Sequence, residues 1–357
     1  MNLGITQDLW SYLQNERRPI VIYGMGNGAD KVIAACAAHG IEISDFYASD
    51  AFVRGQAFHG KTVMTYSHVR EKYGDGGFIT LMSFATRLDD VMENVRRIAS
   101  ENELYAPDVP VAGKELFDMR FFRKYEADMD SVCDMLADDI SKQAYRDIIS
   151  YKLTGKIEYL LNCEHPRKEI FTSLLHPQSY RVFADLGAYT GDTIRELFDY
   201  APSLKYVFAF EPDIKNFKKL SRFAEGEVAC NIAALNLAAW SEQTELTFDC
   251  TGNRNSNIGT GAKTTTVEAD SLDNVLSGLP ADYIKYDVEG SEMQALFGSS
   301  DTIRRYSPEL CVSLYHRSED IFLLPMLVDH LNPGYKLYIR RGKYIPAWDI
   351  NLIAVKK

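Results

Sequence analysis

The apolar run Arg181-Val-Phe-Ala-Asp185 leads directly into the loop Asp185-Leu-Gly-Ala-Tyr-Thr-Gly191, and helix-forming residues begin at Asp192-Thr193. A strand, a glycine-bearing turn and a helix in immediate succession restrict the fold severely. Glycine lets the backbone turn sharply and approach a ligand closely, and that ligand lies over the amino end of the following helix. The arrangement belongs to doubly wound α/β sheets, whose crevice opens at the carboxyl ends of the strands. The glycine spacing here differs from the G-x-G-x-x-G of dinucleotide binders. The next predicted strand, at 206–210, ends in Phe208-Ala-Phe-Glu211-Pro212-Asp213, which puts Glu211 24 positions after Gly187 (211 minus 187). That is near the spacing of an acid that accepts ribose hydroxyls at the tip of the neighbouring parallel strand. Further strands are predicted at 246–248, 283–287, 310–315, 336–339 and 351–355, with helices at 193–198, 214–223 and 292–296.

With 357 residues the chain exceeds the usual size of one domain. Its pattern divides it into three parts. Residues 1–112 alternate short apolar runs with helical patterns, with strands predicted at 19–24, 43–48, 62–64 and 78–84 and helices at 30–38 and 89–100. This reads as a small Rossmann-like α/β domain of about four strands. Ala106-Pro-Asp-Val-Pro-Val-Ala-Gly113 breaks that pattern with two prolines and a glycine. Residues 113–180 read as a helical connector: Ile140, Ala144, Tyr145, Ile148 and Ile149 recur at helical spacing, and Gly155 is placed to end a helix. His165-Pro166 and His176-Pro177 punctuate the approach to residues 181–357, the second α/β domain.

Charge and cysteine usage narrow the partners. The 50 acidic residues outweigh 39 basic ones, giving a net charge of −11, and no Lys/Arg stripe is present to displace counterions from a phosphate backbone. Nucleic acid is therefore not an expected partner. No run approaches the ~20 apolar residues that span a bilayer, and the first residues lack the basic-then-apolar order of a signal peptide. A cytoplasmic protein with no membrane insertion is expected; self-association is left open. Cys36, Cys133, Cys163, Cys230, Cys250 and Cys311 form no C-x-x-C pair and neighbour no histidine cluster, so free thiols, most of them buried, are expected and no metal site. Cys36 and Cys311 lie in apolar runs, where cysteine serves as a small hydrophobe.

Four segments resemble successive motifs of the FkbM family of methyltransferases: Asp185-Leu-Gly-Ala-Tyr-Thr-Gly-Asp-Thr193, Phe210-Glu-Pro-Asp213, Ser271-Leu-Asp273 and, most specifically, Ile284-Lys-Tyr-Asp-Val-Glu-Gly-Ser-Glu292. The resemblance covers most of residues 180–340. Ser307-Pro-Glu-Leu, Val312-Ser-Leu-Tyr-His316 and Tyr335-Lys-Leu-Tyr-Ile-Arg340 are similar to the carboxyl-terminal part of that family, with Arg340-Arg341 standing where Arg-His is expected. The resemblance implies a class I methyltransferase fold and transfer of a methyl group from S-adenosyl-L-methionine to a hydroxyl of a sugar, a nucleotide-linked sugar or a related natural product. It implies cofactor contacts at Asp185, Gly187, Tyr189, Gly191, Asp192, Thr193, Glu211, Pro212 and Asp287.

Methyl transfer to oxygen needs the acceptor held in line and its proton removed by a carboxylate, a histidine or water. Asp287 and Glu289 follow the fourth core strand, and His316 ends the next one and is expected to face the same cleft. Each has a plainer reading. Asp287 fixes the methionine amino group or the backbone, Glu289 caps the helix starting near Gly290, and His316 is a structural histidine. Tyr189 packs on the cofactor or on a neighbouring helix. Asn255-Ser-Asn-Ile258, within the glycine-rich stretch 252–261, lines the acceptor pocket or forms a hairpin.

The amino-terminal part carries its own motif. Gly24-Met-Gly26-Asn-Gly28-Ala29 satisfies G-x-G-x-x-A after a strand, and Asp50 closes the next strand 24 positions after Gly26 (50 minus 26). Two alternatives to methyl transfer follow from it: an NAD-dependent oxidoreductase, or a non-catalytic nucleotide-binding protein. The domain is also similar to small Rossmann-like domains that precede transferase domains in surface-polysaccharide enzymes, which implies a nucleotide-sugar ligand or none.

Overall fold

The computed structural model describes residue 1, residues 3–249 and residues 264–356. Two parallel sheets dominate it. The first contains β1 (Ile20–Tyr23), β2 (Asp45–Ala48), β3 (Met64–Thr65), β4 (Ile79–Met82) and β5 (Glu103–Tyr105), in the order β3-β2-β1-β4-β5. All pairings are parallel. Every residue of β1, β2 and β4 is buried, as expected of strands covered on both faces. The glycine loop after β1 feeds the helix Asn27–Ala38, and a strongly amphipathic helix, Asp89–Glu101, packs Met92, Val95 and Ile98 inward.

Two expectations need correction here. The sheet has five strands rather than four, because the three residues of β5 follow the helix Asp89–Glu101 with only Asn102 between, too short a run to show periodicity. Asp50 does not close a strand: β2 ends at Ala48, and Asp50 is exposed at the start of the 3-10 turn Asp50–Phe52.

The second sheet contains β6 (Val182–Leu186), β7 (Tyr206–Phe210), β8 (Asn231–Leu235), β9 (Tyr283–Tyr286), β10 (Glu309–Ser313), β11 (Tyr335–Arg341) and β12 (Ile350–Lys356), in the order β8-β7-β6-β9-β10-β12-β11. Only β12 runs antiparallel to its neighbours. Its strand order reverses at β6, so the crevice of a doubly wound sheet opens there, between the ends of β6, β7 and β9. The helices Asp192–Phe198, Ile214–Gly226 and Glu292–Phe297 follow β6, β7 and β9 in turn. A small three-stranded sheet of Ala238–Ala239, Thr264–Asp270 and Thr244–Asp249 lies beside them. The helix Asp320–Leu331 carries Pro325 in its interior, which hides it from a pattern reading.

The connector is helical as expected, with helices Met119–Met135, Asp139–Thr154 and Ile157–Asn162. Asp118 and Asp138 cap the first two, accepting the N–H groups of Phe121 and Ser141, and Gly155 ends the second in the left-handed conformation. These helices cover the free edge of the second sheet. Leu136 bridges Leu337 and Glu164 bridges Arg341, and β11 is thereby shielded from pairing with another chain. Arg340 and Arg341 are almost wholly buried in this seam; Arg340 pairs with Asp138 at 2.8 Å, and Arg341 donates to the Leu160 carbonyl at 2.7 Å. Val21 and Phe78 of the first unit, Ile148 of the connector and Ile284 and Leu352 of the second sheet belong to one contiguous buried apolar cluster. The two sheets are thus locked together through shared core rather than a flexible linker.

Among the described residues no helix is long and apolar enough to cross a membrane. Cys36, Cys133, Cys163, Cys230 and Cys311 are free and buried. The segment 252–261, with Asn255-Ser-Asn-Ile258, and Cys250 lie outside the described residues.

Candidate active site

A cleft of about 590 Å³ opens where the order of the second sheet reverses. Its volume is that of a small-molecule site. Gly187, Tyr189, Asp192, Thr193, Glu211, Pro212, Asp287 and Glu289 all line it, so the structure brings together residues separated by more than one hundred positions.

The loop after β6 is held in place by β7: the N–H groups of Gly187 and Ala188 both donate to the Phe210 carbonyl. Gly187 has φ +92°, and a Cβ there would lie 1.9 Å from the Asp287 carbonyl oxygen. Only glycine allows the ends of β6 and β9 to approach this closely. Glu211 ends β7 and turns back over the loop, accepting the Tyr189 N–H at 2.8 Å and the Asp213 N–H at 2.9 Å. Burial pushes its carboxyl up to about 7, with those two N–H groups working in the opposite direction.

Two of the sequence-predicted cofactor residues do not reach the cleft. Asp185 is fully buried beneath the loop, because the last residues of β6 are enclosed on both faces; its neighbour is Lys285 Nζ at 3.6 Å, set beside it by the strand register. Burial raises the Asp185 carboxyl to about 7 against the pull of Lys285. Gly191 has φ +84° under the ring of Phe223, at 2.6 Å from where a Cβ would stand; it shapes the helix start and leaves the lining to Asp192 and Thr193.

At the other end of the cleft, Asp287 accepts the Tyr315 hydroxyl at 3.0 Å and pairs with Lys285 at 3.3 Å. Burial works against its charge, but Lys285, His316 and Tyr315 outweigh it and hold the carboxyl down at about 2. Glu289 sits in the left-handed region with φ +54° and lines the cleft, where burial raises it to about 7. The capping reading of Glu289 does not hold: Ser291 precedes the helix, and it is Glu292 that reaches back to the Val288 N–H at 2.9 Å. His316 requires the larger correction. It is wholly buried and absent from the lining, because β10 ends at Ser313 and the chain turns inward; Tyr315 takes the cleft position instead. His316 Nε2 lies 3.6 Å from Asp287 and 3.5 Å from Glu289, and its Nδ1 lies 2.8 Å from Glu292. Burial opposes its charge, yet the three carboxylates raise it to about 10.

Several lining residues were not singled out from the sequence. Lys285 carried a usable signal, being two positions before Asp287 at the end of the same strand and hence on the same side. Tyr344, Trp348 and Asp349 arrive through the turn between β11 and β12, and Arg87 and Val111 through the amino-terminal part, which is joined to that turn by the Thr86–Ile345 bridge. Tyr315, Trp348 and Tyr344 follow one another at ring separations of 6.4 Å, with Arg87 over the Tyr344 ring at 5.5 Å. The Gly24–Ala29 loop forms the expected turn. Gly28, however, is required for packing, since a Cβ would lie 2.1 Å from the Ser83 carbonyl oxygen.

The strand order and the crevice at its reversal define a class I methyltransferase fold. Residues 185–337 match the model of the methyltransferase FkbM domain, and the chain is an S-adenosylmethionine-dependent methyltransferase. Among solved structures it is similar to the methyltransferase FkbM from Methylobacillus flagellatus KT, with 20% identity, 95% of this chain and 90% of that one covered, and a TM-score of 0.72. That likeness extends the common fold over both sheets and the connector. A precorrin-6y C5,15-methyltransferase from Geobacter metallireducens GS-15 matches at 14% identity over 53% of this chain and 87% of its own, with a TM-score of 0.34. No curated protein matches the sequence.

The residues present fit an adenosyl cofactor. The cleft has the size, Glu211 presents a carboxylate beside the loop, and Gly187 lines the cleft at the turn.

Proposed function

We propose that the protein is an O-methyltransferase acting on a hydroxyl of a sugar, a nucleotide-linked sugar or a related natural product. The observation that carries this reading is the placement of Asp287 and Glu289 in the same cleft as Gly187 and Glu211. In this reading Glu211 accepts the ribose hydroxyls, while the backbone from Gly187 to Tyr189, with Asp192, Thr193 and Pro212, holds the rest of the nucleoside. S-adenosyl-L-methionine supplies an electrophilic methyl group. Asp287, kept ionised by Lys285 and Tyr315, orients the acceptor hydroxyl, and Glu289 accepts its proton. His316 touches both carboxylates from behind and acts as a positioning residue.

The aromatic succession Tyr315, Trp348 and Tyr344 offers ring faces of the kind that stack against sugars, and Arg87 adds a positive charge suited to a phosphate-bearing acceptor. Residues 1–112 thereby form part of the acceptor wall, 113–180 brace the sheet edge, and 181–357 carry the chemistry. Calorimetry with S-adenosylhomocysteine is the first test: the intact chain binds it and Glu211→Ala loses most of the affinity. Absence of binding, or equal binding by the variant, would sink the reading. Transfer of labelled methyl groups to a panel of sugars and nucleotide-sugars then tests the acceptor class.

A further inference from the structure

Behind the cleft wall, Asp287, Glu292 and His316 each bring one donor atom to within 4.8 Å of the other two. Acidic clusters are common, and this one gains its meaning from the imidazole. His316 is 0% exposed, yet neither ring nitrogen has a hydrogen-bond partner, and Glu292 Oε2, equally buried, has none either. Nδ1 lies 2.8 Å from Glu292 Oε1 but off the line a hydrogen bond needs, while Nε2 points between Asp287 and Glu289. Buried polar atoms without partners are rare, yet both nitrogens of this imidazole and a carboxylate oxygen beside it lack them; the two nitrogens diverge, so a cation takes an electron pair from one of them together with one oxygen from each carboxylate. Glu289 and Asp320 add two more carboxylates around the same imidazole.

We propose that Asp287, Glu292 and His316 form a binding site for a divalent cation of the Mn²⁺ type. One imidazole and two carboxylates are a donor set that such ions accept. Donors bonded at ~2.1 Å stand at most ~4.2 Å apart, so a 4.8 Å spread closes with adjustments of a few tenths of an ångström. The position gives the ion a task. Asp287 is the member that reaches the cleft while Glu292 and His316 stand behind it, so the cation binds on the inner side of Asp287 and fixes the carboxylate that orients the acceptor hydroxyl for deprotonation by Glu289. This role rests on the proposed methyl transfer; the site itself does not.

The test uses Mn²⁺ alone with the intact chain, followed by calorimetry and by the loss of the free-ion signal in electron paramagnetic resonance. One Mn²⁺ binds per chain, and Asp287→Asn and Glu292→Gln each weaken it at least tenfold. Asp349→Asn, which alters another carboxylate of the same cleft, changes it less than twofold. Because Glu292 is buried, Asp287→Asn, at the cleft surface, keeps the test valid should the other variant fail to fold. Absence of binding at millimolar Mn²⁺, or binding unchanged in Asp287→Asn, overturns the proposal. Calorimetry with S-adenosylhomocysteine in the presence of a chelator separates the two readings, since it reports the cofactor cleft whether or not the cation site exists.

Discussion

Glu211 is asked to be charged in a place that disfavours charge, and the conflict has a measurable size. Its carboxyl rises from an ordinary 4.5 to about 7, chiefly through burial. At ~1.4 kcal/mol per pH unit this amounts to about 3 kcal/mol. Between those two values the folded protein keeps a proton that the unfolded chain releases, so stability falls as pH rises through the window and the whole amount is lost above about pH 7. Glu211→Gln removes that slope. Its amide nitrogen also faces one of the two N–H groups that Glu211 now accepts, from Tyr189 or Asp213, which costs about 1 kcal/mol at every pH. The variant is therefore less stable than the parent by about 1 kcal/mol near pH 4.5 and more stable by about 2 kcal/mol near pH 8. Urea denaturation of both proteins across that range reads the difference, and other titrating groups such as Asp185 appear in both and cancel. Affinity for S-adenosylhomocysteine runs the other way. If ionised Glu211 accepts the ribose hydroxyls, the parent gains about tenfold per pH unit up to about 7 and then levels off, whereas the variant binds weakly at all pH values. Parallel stability curves for the two proteins, or an affinity that ignores pH in the parent, would refute this reasoning.

Three other substitutions probe the supports of the site. Lys285→Met leaves the carboxylates of Asp185 and Asp287 without their shared cation and costs roughly 3–5 kcal/mol by urea denaturation, part of which Asp185→Asn restores in the double variant; a cost below about 1 kcal/mol would show that the pair is not coupled. Gly187→Ala forces a Cβ to 1.9 Å from the Asp287 carbonyl oxygen at φ +92°, so a loss on the order of 3 kcal/mol is expected together with lost cofactor binding; an unchanged melting temperature would contradict it. Arg340→Met strands Asp138, which is partly solvated, and costs about 2 kcal/mol, with faster proteolysis of the connector as the second readout; proteolysis at the parental rate would mean that the seam does not depend on this pair.

What the sequence discloses and what it conceals follow from the range of the interactions involved. The second sheet is legible because each of its site residues stands at a strand end and is announced by its own neighbours: Gly187 by the turn, Glu211 by Pro212, Asp287 by the apolar run before it. Strand β8 and the helix at Pro325 escape because the first, Asn231–Leu235, is half-exposed along its length and the second breaks its own pattern. His316 shows the deeper limit. Its distance along the chain from a strand end suggested a side chain in the cleft, but three residues of irregular backbone after Ser313 rotate it inward, and no periodicity exists in a loop to reveal that. The far wall of the cleft is less legible still. Tyr344 and Arg87 meet only because Thr86 and Ile345 exchange backbone hydrogen bonds across more than two hundred and fifty residues, a pairing encoded in no local pattern. The residues around the turn after β6 are local in sequence, since one strand-turn-helix unit carries them. The far wall of the cleft is drawn from distant segments, and in this chain Arg87 and Val111 of the amino-terminal part belong to it.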